Sequence, residues 1–312
     1  SMTLPQDIIG VDIAKDWIDV FHLSTSKHER IATTEQALAR FSKGVAGALV
    51  VLEASGGYER PLIEALAKAH TEYARVNPRQ AREFARATGR LAKTDRVDAE
   101  VLARMGRALE LKPTPPEDPD LARLSDLVAR RGVLVGQIRA EKNRAGTTRD
   151  RWIAKEIALM IKVLDAHLAA VETQIATLVE SRDALAATQA RLSSVPGIGP
   201  AISAVLIARL PELGHLDPRR IASLAGLAPH ATDSGLTRGK RRIWGGRADA
   251  RRALYVAAFI ASRYDPAMKA FRARLQAAGK PLKLVLTACA RKLLTILNAM
   301  LRTGTDYRKM AT

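Results

Sequence analysis

Cysteine is almost missing from this 312-residue chain. Cys289 stands alone, which excludes a disulfide framework and a cysteine-built zinc centre. It falls in an apolar helical pattern with Leu286, Leu293 and Leu294, where a buried thiol is the expected role. The histidines are scattered singly (His22, His28, His70, His167, His215, His230), with no paired metal-ligand spacing among them. Long hydrophobic runs are lacking too, since none approaches the roughly 18 apolar residues of a membrane helix. No signal-peptide pattern is visible, and Ser1-Met2 reads as an addition ahead of a natural start, so the expected location is cytoplasmic. Aromatics are only 4% of residues, yet 47% hydrophobic content over this length suffices for two or three packed cores.

Acidic residues are also scarce, 32 against 50 Lys and Arg, and the formal charge is +18. The shortage is local. Residues 1–110 hold 15 acids and 16 bases, whereas residues 111–312 hold 17 acids and 34 bases. A nearly neutral front with clustered acids, joined to a strongly basic back, points to a metal-dependent site carried by a polyanion-binding body. Nucleic acid is the natural partner.

The acids of the front half fall at telling places. Ile8-Ile9-Gly10-Val11-Asp12-Ile13-Ala14 reads as a short strand interrupted by one acid, with strands to follow at 17–23 and 30–33 and a helix at 35–43. Ala48 to Glu53 reads as a buried strand ending in an acid before the loop Ser55-Gly56-Gly57. Helix 60–69, strand 73–76 with its Asn77-Pro78 stop, and helix 79–87 complete the order βββαβαβα and lead to a further helix opened by Lys93-Thr94-Asp95-Arg96-Val97-Asp98. Thr94 suits the cap, and residues three apart share a helical face, so Asp95 and Asp98 point the same way. Acids in a first helical turn also suit the helix dipole, so this pair alone says little. With Asp12 and Glu53, however, four acids would converge at one sheet edge, an arrangement that resembles the RNase H/RuvC-like nuclease fold. Such sites hold two Mg²⁺ ions that assist in-line phosphoryl transfer. Asp16 is expected in a hairpin turn and Asp19 on an exposed strand face.

Lys112 to Pro119, with four prolines, cannot be helical and marks a boundary. The expected division is 1–111, a RuvC-like domain; 112–191, a linker and coiled-coil hairpin; and 192–312, a mostly helical domain. Leu121, Leu124, Val128, Val135 and Ile138 form one stripe, and Ile157, Ile161, Leu164, Leu168, Val171, Ile175 and Leu178 a second, spaced by fours and threes. That seam could serve the hairpin itself, but a long amphipathic pair outside a globular core more often joins subunits, and a joint between subunits is the expected role. Val195-Pro196-Gly197-Ile198-Gly199-Pro200 resembles a helix-hairpin-helix element, whose amides at Gly197 and Gly199 would face a phosphate; a packing turn is the plainer alternative. From Arg219 to Arg252 there are nine Lys/Arg and two Asp. Arg238, Lys240, Arg241, Arg242 and Arg247 are the nucleic-acid-binding candidates. Ser234 lies in the same loop, where Ser-Gly is an ordinary turn and no Ser-His-Asp arrangement is evident. Helices are expected at 251–264 and 281–301, with a frayed polar end at 303–312.

Taken together, Gly-Val-Asp12, Leu-Glu53-Ala-Ser-Gly-Gly, Asn77-Pro78, Lys93-Thr-Asp95-Arg-Val-Asp98-Ala, Val-Pro-Gly-Ile-Gly-Pro200, Gly-Leu-Ala-Pro229, Ser234-Gly, Ile243 and Gly246 resemble the DEDD transposases of the "IS one-ten" insertion-sequence family, relatives of the Piv DNA invertases. The likeness spans nearly the whole chain. It implies that Asp12, Glu53, Asp95 and Asp98 are a Mg²⁺-binding tetrad and that Ser234 is a nucleophile forming a phosphoserine link to DNA. It also implies a composite site shared between subunits, dimers joining into a tetramer, and a bridge RNA that pairs with donor and target DNA. Sequence choice would then rest on base pairing, which suits a chain rich in Arg and poor in aromatics.

Three rival readings remain at this level. A RuvC-like endonuclease would hydrolyse branched DNA with the four acids and water, leaving Ser234 structural. A tyrosine recombinase would use Tyr255 beside Arg251 and Arg252, although Tyr255 falls in the apolar helical run 254–260. A non-catalytic nucleic-acid scaffold would need none of the acids.

Overall fold

The computed structural model of the chain describes residues 7–89, 95–230 and 242–307, with the backbone alone at 95–97, 230 and 242. Two compact units divide it, Ser1–Pro116 and Glu117–Thr312.

The first unit is built on a five-stranded sheet of order β3-β2-β1-β4-β5. β1 (Ile8–Ile13), β2 (Trp17–His22) and β3 (Lys27–Ala32) form an antiparallel meander, and β4 (Leu49–Glu53) and β5 (Glu72–Val76) add in parallel beside β1. α1 (Glu35–Gly44), α2 (Arg60–Lys68), α3 (Pro78–Ala87) and α4 (Asp95–Ala108) complete an RNase H-like arrangement. Thr34 and Asn77 cap α1 and α3 by accepting the Ala37 and Arg79 amides.

Both faces of β1 and β4 are buried, which is why these strands read as nearly continuous apolar runs. Ile9, Val11, Val50 and Leu52 pack under Leu38 and Phe41 of α1 and Leu62 and Leu66 of α2. Ile8, Leu49 and Val51 point the other way and pack with Ala99, Leu102, Ala103 and Met105 of α4. The proline-rich segment beyond α4 is tied to the sheet edge. The Thr114 amide donates to the Tyr73 carbonyl at 2.7 Å, and the Thr114 hydroxyl accepts the Arg75 amide at 2.8 Å. Part of the expected linker therefore satisfies the open side of β5.

In the second unit α5 (Pro119–Ala145) and α6 (Arg151–Glu180) form an antiparallel hairpin, with Asp118 and Asp150 as their caps. The spaced seam of α6 faces α5: Ile157, Ile175 and Leu178 are buried, and Ile161, Leu164, Leu168 and Val171 partly so. On α5 the stripe differs from expectation. Leu134 is buried, whereas Val135 is 40% exposed, because the buried stripe steps from Val128 to Leu134 to Ile138.

The base of the hairpin shares one core with α7 (Asp183–Ser193), α8 (Pro200–Arg209), α9 (Pro218–Leu224), α10 (Ala248–Tyr264), α11 (Pro266–Ala277) and α12 (Leu282–Thr303). α12 is long and apolar enough to cross a membrane, yet Val285, Cys289, Leu293 and Leu297 make it the middle of this core. Burial pushes the Cys289 thiol up, consistent with an inert packed side chain. The expected fraying does not extend to Tyr307, whose amide donates to the Ser194 hydroxyl at 3.0 Å and whose own hydroxyl donates to Asp265 at 2.8 Å. Partial burial first, and then that hydrogen bond to Asp265, push the Tyr307 pKa up to about 12.

Candidate active site

Register fixes where the acids of the first unit stand. Asp12 pairs opposite Asp19, and Asp19 opposite Arg30, so all three project from one face. β1 and β4 run parallel with Val11 beside Leu52, and one further step sets Asp12 beside Glu53. A lateral row Arg30, Asp19, Asp12, Glu53 thus crosses four strands at the carboxyl end of β1 and β4, where open α/β sheets expose their sites.

α4 approaches the same row. An added Cβ at Gly106 would crowd Val51 at 2.7 Å and Ile8 at 3.0 Å, while one at Gly10 would overlap the Ala99 carbonyl and meet the Ala103 amide at 2.6 Å. From its end to its start, then, α4 travels along β1 from Ile8 past Gly10, and its first turn, with Asp95 and Asp98, extends towards Asp12 and Glu53. Asp12, Glu53 and Asp98 are all half-buried. Among the described residues, no three His, Cys, Asp or Glu side chains are drawn tightly enough together to hold a metal ion. The donor type and placement nevertheless fit one. Only carboxylate oxygens are offered, from two strand ends and a facing helix, and these are the ligands a hard divalent cation takes.

The loop leaving Glu53 is held by a residue the sequence did not single out. Glu59 is 5% exposed, and its Oε2 accepts the Ser55 amide at 3.1 Å, the Ser55 hydroxyl at 2.9 Å and the Gly57 amide at 2.8 Å. Burial alone would raise its pKa. Hydrogen bonds from the Glu59, Gly57 and Ser55 amides and the Ser55 hydroxyl together outweigh that and hold it below the usual carboxylate value. The signal in the sequence was an acid four residues beyond Ser55. Asp19 departs from expectation more sharply. It is 4% exposed, because Arg30 grips it from the next strand with Nε at 3.0 Å and Nη2 at 2.7 Å.

In the second unit the segment carrying Ser234 is closed at its base. β6 (Pro229–His230) pairs with β7 (Arg242–Ile243), and the Arg247 amide donates to the Leu224 carbonyl at 2.8 Å. Gly226 and Gly246, at φ +68° and +63°, lie against each other so closely that a Cβ on Gly246 would come within 2.5 Å of the Gly226 Cα. Ser234, Arg238, Lys240 and Arg241 lie outside the described residues, and of Arg242 only the backbone, in β7, is described. Arg247 is committed within the protein, its fork meeting Glu212 at 2.5 and 2.7 Å and the Arg209 carbonyl at 2.9 Å. Gly197, at φ +93°, packs under α10, where a Cβ would sit 2.6 Å from the Ala257 carbonyl. Gly199 caps α8 and opens on free space.

Comparison with known proteins gives these two halves one origin. A DEDD family model described as Transposase matches residues 9–148, and a second, Transposase IS116/IS110/IS902 family, matches residues 189–273. The chain belongs to the IS110 family of DEDD transposases. It is similar to the pilin gene-inverting proteins of Moraxella bovis and Moraxella lacunata, each 27% identical over 315 residues, 96% of this chain and 97% of theirs. It is also 32% identical over 162 residues to the insertion element IS110 uncharacterized 43.6 kDa protein of Streptomyces coelicolor, across 50% of this chain and 38% of that one. The resemblance read from the motifs is thus upheld.

Membership makes this transposase an enzyme of DNA recombination and implies a divalent metal ion. The first family model takes in β1, β4 and α4, and hence Asp12, Glu53, Asp95 and Asp98; the second takes in the glycine-closed segment of Ser234.

Proposed function

We propose that this transposase exchanges DNA strands through a phosphoserine intermediate at Ser234, assisted by Mg²⁺ held on Asp12, Glu53, Asp95 and Asp98. The observation that carries the reading is the register of β1 on β4, which aligns Asp12 with Glu53 on the face that α4 covers. Mg²⁺ bound there would withdraw charge from the phosphoryl oxygens of the scissile phosphodiester. The Ser234 hydroxyl attacks the phosphorus and gives up its proton. One P–O bond to deoxyribose breaks as the P–Oγ bond forms, and the released sugar oxygen takes a proton. The hydroxyl end of another strand then attacks the phosphoserine, restoring a phosphodiester and freeing Ser234.

Donor and target DNA are the substrates, and a bridge RNA pairs with both. The charge layout supports this division, since a back half with twice as many bases as acids can hold backbones without reading bases. The resemblance carried by the motifs implies that the acids and the serine of one complete centre come from different subunits. The pilin gene-inverting relatives suggest that inversion as well as insertion is within reach of this chemistry.

Trapping on a nicked suicide DNA substrate tests the reading. Wild type with Mg²⁺ gives a covalent protein–DNA adduct mapped to Ser234, and Ser234→Ala gives none. Cleaved DNA with a free phosphate end and no adduct would instead make the protein a metal-dependent endonuclease.

A further inference from the structure

Charge is not evenly spread along the second unit. Residues 266–305 contain eight Lys or Arg and no Asp or Glu. The stretch makes up α11 and α12, and most of it lies beyond residue 273, where the second family match ends. The acid just ahead of it, Asp265, is 1% exposed and accepts the Met268 amide and the Tyr307 hydroxyl, each at 2.8 Å, so both its oxygens are engaged within the protein.

Packing gathers several of the cations on one face. α11 buries Met268 and rests Phe271 and Leu275 on the core it shares with α10 and α12. Arg274 of α11 lies 5.3 Å from the centre of the Phe271 ring, and Lys292 of α12 lies 4.5 Å from the same centre. Arg272 donates to the Ser262 hydroxyl of α10 at 3.4 Å. Burial raises the Cys289 thiol, and the charges of Arg272 and Lys292 pull the other way, so both cations stand near the same stretch of α12. Next to Ser262, Arg263 lies 4.1 Å from the centre of the Phe259 ring.

Aromatic rings hold cations in place without neutralising them. Positive groups gathered in this way repel one another, and a polyanion relieves that repulsion while shedding its own counterions. Phe259 and Phe271 are half-buried with cations on their rings, so neither is a bare platform for an unstacked base, the usual device for holding single strands. The phosphates of an intact duplex need no such platform.

We infer that the face formed by Arg263, Arg272, Arg274 and Lys292 is a docking surface for duplex DNA, held through its phosphates. The inference rests on DNA being the substrate of the proposed strand exchange. It adds a contact outside both the acidic row and the segment of Ser234.

The test measures affinity of the full chain for a labelled DNA duplex against salt, in EDTA so that metal at the acidic row plays no part. Arg274→Gln/Lys292→Gln removes two cations from the face. Arg263→Gln/Arg274→Gln, at two exposed positions, does the same should the first variant fail to fold. Each lost phosphate contact lowers the slope of log affinity on log salt by about 0.9, so either pair should lower it by about 1.8. Arg274→Lys/Lys292→Arg keeps both charges and should keep the wild-type slope. Lys155→Gln/Lys162→Gln, at two exposed positions of α6, removes the same charge elsewhere and should leave the slope unchanged. An unchanged slope in the folded face variants, an equal drop in the α6 pair, a loss shared by the charge-keeping variant, or a drop seen only with an RNA hairpin overturns the inference. The strand-exchange reading fails separately, as a wild type that binds DNA with this salt dependence yet forms no adduct at Ser234.

Discussion

Gly10 of β1 lies so close beneath Ala99 of α4 that a side chain on Gly10 would overlap the Ala99 carbonyl oxygen. That contact sets the height of α4 over the sheet, and with it the distance from Asp98 to Asp12. Gly10→Ala must push the helix away or distort β1, and overpacking of this kind costs about 1–3 kcal/mol. Denaturant unfolding should show that loss. Strand breakage should fall more than the stability loss explains, because the first turn of α4 moves with the helix. Full activity in a folded Gly10→Ala protein would mean that the position of α4 is not critical.

Glu59 gives a stability term with a definite pH sign. Its folded pKa lies below its ordinary value of about 4.3, so its contribution is complete above that pH and is lost as pH falls through the lower folded value. Glu59→Gln replaces a charged acceptor of the Ser55 and Gly57 amides and should cost on the order of 1–3 kcal/mol at neutral pH. Unfolding curves from neutral to acid pH check this. The gap between wild type and variant should hold steady down to about pH 5 and narrow below about pH 4. A gap that widens on acidification would contradict the assignment.

The hairpin of α5 and α6 uses its regular seam internally and still exposes apolar side chains. Trp152 is 70%, Leu159 50% and Val163 53% exposed, on the side of α6 turned away from Ile157 and Ile161. A second copy of the chain is the expected cover. Leu159→Glu/Val163→Glu should shift the sedimentation of the purified protein towards monomer without lowering its melting temperature. An unchanged oligomer would remove this face from the assembly.

Much of this was legible in the sequence, and the omissions have physical causes. The order βββαβαβα could be read because β1 and β4 are apolar runs interrupted or ended by acids, and Asn77-Pro78 marks a helix start as clearly as any turn. Asp19 was misjudged because β3 begins at Lys27, not Arg30, and its exposed, charged residues carry no apolar alternation. With the strand shortened, Arg30 had no register against Asp19. Leu134 was missed where a fixed heptad was carried along a straight helix, whose own period drifts from it. α7, α9 and α11 escaped notice because helices of seven to twelve residues in a basic, alanine-rich stretch lack a distinctive stripe. Of the candidate site, Asp12 and Glu53 could be picked out near their strand ends, whereas the one sign of Glu59, an acid four residues beyond Ser55, does not reveal that it holds backbone amides.

The role of the acidic row is tested most directly by DNA strand breakage as Mg²⁺ is titrated against wild type and Asp12→Asn, Glu53→Gln and Asp98→Asn proteins of verified fold. If these carboxylates hold the metal at the scissile phosphate, each variant loses breakage by on the order of 100-fold or more. Wild-type breakage with unaltered Mg²⁺ dependence in any of the three would contradict it.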